Sequence, residues 1–160
     1  MSILDTIENW RNEGHKIVFT NGVFDILHVG HIHCLEAASK FGSKLIVAIN
    51  DDESVRRLNK GPERPINSEE DRAMVLTAIN CVDLVIIFSE DTPLEAIEAI
   101  NPDVLVKGND YDVSCTDTSD PKYIVGSNEV KKNGGKVQTV PLLPGHSTTN
   151  ILKSRYPLLP

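Results

Sequence analysis

Cysteine, basic charge and long apolar runs are all in short supply in this chain of 160 residues. The three cysteines, Cys34, Cys81 and Cys115, are odd in number, widely spaced and without a C-x-x-C. Such a set favours neither a disulfide framework nor a zinc site, and it points to a reduced, cytoplasmic protein. Cys34 and Cys81 lie in apolar-periodic stretches and are expected to pack into the core. Lys and Arg number 16 against 23 Asp and Glu, a formal net charge of −7. A general nucleic-acid binder is disfavoured, because the phosphate backbone rewards a basic excess; a local basic site on an acidic protein is still compatible with this balance. No apolar run approaches the ~18 residues of a membrane span. The N-terminus lacks a basic region followed by a greasy one, so no secretory signal is expected. There is no G-x-x-x-x-G-K-[ST] and no G-x-G-x-x-G, which removes support from P-loop kinase and dehydrogenase readings. No local motif suggests a Ser-His-Asp or Cys-His set. The hydrophobic fraction of 40% suffices for one core, and one domain over residues 1–160 is expected.

Short apolar runs alternate with helical stretches. Residues 16–20, 44–49 (KLIVAI), 84–88 (LVIIF), 104–107 and 136–140 read as strands. Helical spacing appears at 30–40, with Ile32, Leu35, Ala38 and Phe41, and Gly42 is expected to stop that helix. Further helices are expected at 53–58, after a cap at Asn67 or Ser68, from Thr92-Pro93 to Ile100, and at 148–154. In the helix after Ser68, Met74, Leu76, Ala78 and Ile79 are the apolar material. The strands are continuously apolar, the pattern of a parallel sheet covered on both faces. The expectation is a doubly wound α/β sandwich with a five-stranded parallel sheet. Residues 112–126 (DVSCTDTSDPKYIVG) are polar and irregular, a surface excursion that could serve as a substrate lid.

Ligands of open α/β sheets bind at the carboxyl ends of the strands, where strand order reverses. The polar, Gly-containing clusters all follow strands. They are Thr20-Asn21-Gly22-Val23-Phe24-Asp25, then His28-Val29-Gly30-His31, Asn50-Asp51-Asp52, Lys107-Gly108-Asn109-Asp110-Tyr111 and Gly145-His146-Ser147-Thr148-Thr149. His28 and His31 lie three apart at a helix start, so they share a face. Gly30 leaves room for a ligand at the backbone, and the helix N-terminus suits a phosphate. Imidazoles donate to phosphate oxygens without a metal, more strongly if protonated. Ser147 and Thr148 can cap the last helix and cradle a second phosphate. Lys60 and Arg64 sit in a Gly/Pro loop that could close on phosphates, and Arg72 could fork onto phosphate oxygens. His15 and His33 are expected to be structural or surface residues.

Taken together, TNGVFDILHVGH, KGPERPINSEEDR, NCVDLVIIF with EDTP, LVKGNDY, NGGKV and HSTTNILK resemble the H-x-G-H nucleotidyltransferase superfamily. The resemblance covers roughly Lys16 to Lys153. H-x-G-H alone is a weak signal, since class I aminoacyl-tRNA synthetases share a similar motif on much longer chains. Within the superfamily the chain is most similar to the D-glycero-β-D-manno-heptose 1-phosphate adenylyltransferase type, a family often fused behind a sugar kinase. At this length a stand-alone transferase is expected. The resemblance implies a Rossmann-like nucleotidyltransferase fold and transfer of AMP from ATP to a sugar 1-phosphate, giving ADP-heptose for lipopolysaccharide and pyrophosphate. It implies that His28, His31 and Lys60 are catalytic. Thr20, Asn21, Gly22, Phe24, Gly30, Arg72, Lys107, Gly108, Asp110, Tyr111, Ser147 and Thr148 would bind the nucleotide. Asp25, Asn50 and Arg64 would face the acceptor. Mg²⁺ would be held mainly by the ATP phosphates, with no protein metal site, and a homodimer is implied by family habit. Two departures stand out: Asn109 replaces the second Gly of the family's K-G-G-D-Y, and residues 112–126 look longer than the family's segment.

The acceptor's phosphate is already ionised, so the reaction needs no protein nucleophile and no general base. Positioning and charge neutralisation would suffice. Two alternatives stay open at this point. One is cytidylyl transfer to a polyol or amino-alcohol phosphate, whose enzymes usually carry Arg where this chain has Leu142. The other is a nucleotide-binding regulatory module without turnover.

Overall fold

Side chains alternate along β1, and the two faces go to two different cores. A computed structural model describes residues 2–155. Its five strands are β1 (Ile17–Gly22), β2 (Lys44–Asn50), β3 (Leu84–Phe88), β4 (Val104–Gly108) and β5 (Lys136–Val140). All pairings are parallel, in the order β3-β2-β1-β4-β5. The helices are α1 (Ile3–Asn12), α2 (Val29–Ser39), α3 (Asp52–Arg57), α4 (Glu69–Thr77), α5 (Leu94–Ile100), α6 (Ser127–Lys132) and α7 (Thr148–Arg155). Phe19, Ile46, Ile86 and Leu105 pack against Ile7 of α1, Ile97 and Ile100 of α5 and Val130 of α6. Val18, Val47, Val104 and Val106 pack against Leu35 and Ala38 of α2 and Leu76 of α4 on the other side. Burial on both faces is why these strands read as unbroken apolar runs. Cys34 and Cys81 pack, partly buried, against the second core, as expected.

The strand order reverses between β1 and β4, and there the sheet opens. β1 keeps register with β2 up to Gly22↔Ile49. Its ladder with β4 covers Val18↔Val104 and Phe19↔Leu105. Beyond that point side chains bridge the split: Thr20 Oγ1 donates to the Val106 carbonyl at 2.9 Å, and Lys107 Nζ donates to the Asn21 carbonyl at 3.1 Å. This is the crevice that doubly wound sheets use for ligands.

Several local expectations need correcting. Thr20, Asn21 and Gly22 form the end of β1 rather than a turn after it. The cap of α4 is Ser68, whose Oγ accepts from the Asp71 N–H; Asn67 instead donates to Asp25. Met74, expected to be apolar material for burial, is 73% exposed, whereas Leu76 is buried. Pro93 sits at the N-cap of α5, one place before its first turn. α2 ends at Ser39 with Lys40 as its C-cap, before Gly42, which is needed for close packing: a Cβ there would lie 2.6 Å from the Lys16 carbonyl oxygen. No element was expected over α1 or α6. Among the described residues no helix is long and apolar enough to cross a membrane.

Candidate active site

The start of α2 fixes two imidazoles by backbone hydrogen bonds. His28 is the N-cap, and its Nδ1 accepts from the Gly30 N–H at 3.1 Å. His31 Nδ1 accepts from the His28 N–H at 3.3 Å. In a neutral ring whose Nδ1 accepts, the proton sits on Nε2. Each ring is thereby set as an Nε2–H donor. The rings lie 3.9 Å apart between centroids, tilted by 32°. Burial, then the neighbouring His28, pulls the His31 pKa down to about 4. Burial and then His146 lower that of His28. At neutral pH the His31 ring is therefore uncharged, the weaker of the two donor forms considered from sequence. Gly30 is required here, because a Cβ would lie 2.9 Å from His28 Nδ1 and 3.1 Å from the His146 carbonyl oxygen. The loop before α7 thus closes directly on the start of α2.

Phe24 shapes the approach. Its backbone is left-handed, φ +51°, and its ring centroid lies 5.1 Å from that of His31. A non-Gly residue in this region is strained, and such strain clusters at functional sites. The Phe24 ring also explains Gly22, where a Cβ would come within 2.9 Å of it. A cavity of about 420 Å³ opens here, lined among others by Phe24, Asp25, His31, Lys60, Arg64 and Thr148. Ser147 Oγ accepts from the Asn150 N–H at 3.1 Å, and Thr148 Oγ1 donates to the Ile26 carbonyl at 3.5 Å, which ties α7 to this wall. Burial and the nearby Arg64 lower the pKa of Lys60.

Three predicted site residues are engaged in hydrogen bonds within the protein. Asp25 is 3% exposed. Its carboxylate accepts from Arg64 Nε and from the Ile66 and Asn67 N–H groups, the last at 2.9 Å. Burial raises its pKa, but the N–H groups of Asn67 and Ile66 and the Arg64 guanidinium outweigh that and hold it below the usual carboxylate value. Asp25 therefore anchors the loop that carries Lys60 and Arg64, from a place on the cavity wall. Arg72 is 2% exposed, with donors on the carbonyls of Asn67, Val23 and Asn50 and on Asp52 Oδ1, at 2.8–3.1 Å. Four of its five N–H groups are bonded inside the protein, so it joins the end of β2, the start of α3 and the segment after β1 to α4. Asn50, 5% exposed, donates to Ser54 Oγ at 2.8 Å and is likewise structural.

On the other side of the split, Lys107 Nζ also reaches Asn21 Oδ1 at 3.3 Å and lies 4.9 Å from the centre of the Tyr111 ring. Burial pulls its pKa down to about 8, against the raising effect of Asp110. Gly108 sits against Asp110 and Leu142, where a Cβ would meet Asp110 Oδ1 at 2.6 Å. Asp110 itself is exposed. Among the described residues no group of three or more His, Cys, Asp or Glu could hold a metal ion. Sequence reasoning passed over His146 as a site residue, although the P-G-H-S-T-T cluster placed it one residue from Ser147.

The chain matches the family model described as cytidylyltransferase-like over residues 19–154. It is 51% identical over 152 residues to the "Bifunctional protein HldE" of Methylobacillus flagellatus and 53% identical over 151 residues to that of Koribacter versatilis. These alignments take in 95% and 94% of the chain but 29% of each relative, so the chain spans less than a third of their length. The solved lipopolysaccharide core biosynthesis protein of Thermoplasma volcanium is 29% identical, with a TM-score of 0.62 over 81% of this chain and 98% of that one. A pantoate-beta-alanine ligase from Francisella tularensis shares the fold at 16% identity, with a TM-score of 0.58 over 96% of this chain and 75% of that one.

Proposed function

The chain belongs to the cytidylyltransferase-like family, making it a nucleotidyltransferase of the H-x-G-H superfamily, and from that membership we propose that it transfers AMP from ATP to a sugar 1-phosphate. The acceptor proposed is D-glycero-β-D-manno-heptose 1-phosphate, the products ADP-heptose and pyrophosphate. The similarity to the lipopolysaccharide core biosynthesis protein of Thermoplasma supports a lipopolysaccharide sugar. A cytoplasmic location and a homodimer, the latter checked by light scattering, belong to the same proposal.

The observation that carries the reading is the pair of imidazoles held as Nε2–H donors beside a cavity with Lys60 and Arg64 on its wall. Such a wall suits the triphosphate. An oxygen of the acceptor phosphate attacks the α-phosphorus, forming one P–O bond. The bond from that phosphorus to the oxygen bridging to the β-phosphorus breaks, and pyrophosphate leaves with the electron pair. No proton is transferred in this step. The imidazoles donate to the phosphate oxygens, and the lysine and guanidinium offset the charge that builds on the leaving group. Mg²⁺ would enter with ATP as part of the substrate. The donors here are imidazole N–H, ammonium and guanidinium, which leave the ion to phosphate and water, as Mg²⁺ prefers.

The test is pyrophosphate release with ATP or CTP against a panel of sugar 1-phosphates. Release with ATP and a heptose 1-phosphate supports the proposal. Release with CTP and a polyol phosphate replaces it with the cytidylyl reading.

A further inference from the structure

Asn109, the residue that departs from the family's K-G-G-D-Y, is bonded on both sides of a proline. β4 and β5 end their ladder at Gly108↔Val140. The Asn109 N–H donates to the Val140 carbonyl at 2.9 Å. Pro141 comes next in the chain and has no N–H, so it cannot carry the ladder on. The next donor, the Leu142 N–H, is taken by Asn109 Oδ1 at 3.2 Å. Among the described residues no other side chain hydrogen-bonds to the backbone of residues 141–144. The Leu142 side chain packs over Gly108, where a Cβ would meet its Cδ2 at 2.8 Å. A glycine at position 109 has no side chain with which to hold Leu142.

From Leu142 the chain leads directly to the wall assigned to the nucleotide. The Leu143 carbonyl accepts from the His146 N–H at 3.3 Å, with Pro144 and Gly145 between them and Gly145 at φ +79°. Proline followed by a left-handed glycine is the residue pattern of a type II turn. The His146 carbonyl oxygen then seats against Gly30, 3.1 Å from where a Cβ would stand. Ser147 and Thr148 follow, and Thr148 and Thr149 line the cavity together with His31 and Lys60. Residues 141–148 are thus a strap from the end of β4 to the start of α2, fixed at one end by Asn109 and at the other by Gly30.

We propose that Asn109 is a positioning residue for the nucleotide: by pinning Leu142 it sets the strap in its binding position before ATP arrives. The inference rests on the nucleotidyl-transfer reading above. A wall ordered in advance does not have to be ordered at the expense of binding. The imidazoles come from α2 and Lys60 from the loop after α3, so they keep their places when the strap loosens. Loss of the Asn109 bond therefore weakens the hold on ATP and leaves the chemical step alone. One such bond is typically worth about fivefold in an equilibrium constant.

The test compares the wild type with Asn109→Ala, which removes the acceptor, and Asn109→Asp, which keeps one in the same place. MgATP affinity is measured by calorimetry, KM and kcat by pyrophosphate release, and the mobility of residues 141–147 by hydrogen–deuterium exchange. Thermal unfolding checks that each variant folds. Asn109→Ala is expected to bind MgATP about fivefold more weakly, with ATP KM raised to match, kcat and acceptor KM within about twofold, and faster exchange over 141–147. Asn109→Asp is expected to restore both affinity and protection. An Asn109→Ala variant that binds MgATP as the wild type does, or that loses kcat in place of affinity, would overturn the positioning role and leave nucleotidyl transfer standing. A wild type that binds no MgATP would overturn both.

Discussion

The burial of His31, and the donor role proposed for it, have consequences in pH and in turnover. Its pKa falls from an ordinary 6.5 to about 4 on folding. Between those values the unfolded chain binds the proton and the folded chain does not, so stability rises with pH across the window and is lost as pH falls through it. Thermal unfolding between pH 4 and 7 is expected to show this acid limb, and His31→Gln to flatten it. Asp25, held below the usual carboxylate value, acts in a separate window at lower pH. Loss of one well-aimed donor costs about 3–4 kcal/mol of transition-state stabilisation. His31→Ala is therefore expected to lower kcat several hundred-fold with the fold intact. Arg72 is the contrasting residue. Arg72→Met leaves Asp52 and three carbonyls, that of Asn50 buried, without their partner and is expected to cost about 3–5 kcal/mol of stability, the range for breaking a buried pair. Denaturant unfolding measures that loss. An unchanged midpoint with lost activity would return Arg72 to the phosphates.

At the scale of elements, the decisive joint is between α2 and the loop before α7. Gly30→Ala pushes a methyl group toward the His28 ring and the His146 carbonyl. It is expected to raise the ATP KM at least tenfold while the circular dichroism spectrum is retained. The five strands were legible in the sequence because burial on both faces makes each one a continuous apolar run bounded by polar turns. The imidazole pair was legible because a spacing of three at a helix start puts both rings on one face. What stayed hidden was long-range. Nothing local says that Asp25 is bonded to Arg64, 39 residues away, or that Arg72 reaches Val23 and Asn50. Charged side chains read as ligand groups until the fold shows what already occupies them. α1 had a readable signal, the Ser2-x-x-Asp5 capping box now seen in the structure. α6 had little, being six residues long and preceded by a polar segment.

The whole molecule carries a net charge of −7, yet gathers Lys60, Lys107, Arg64 and the imidazoles at one sheet edge. A ligand that binds only the folded chain stabilises it by about 2.7 kcal/mol at a hundred times its Kd. MgATP is accordingly expected to raise the Tm of the wild type by several degrees and that of His31→Ala by less, with both shifts shrinking at high salt. The most direct measurement is pyrophosphate release from MgATP with a heptose 1-phosphate, run side by side on the wild type and His31→Ala. Turnover by the wild type and a loss of several hundred-fold in the variant is the expected result; equal rates in the two proteins would contradict the role given to the paired imidazoles.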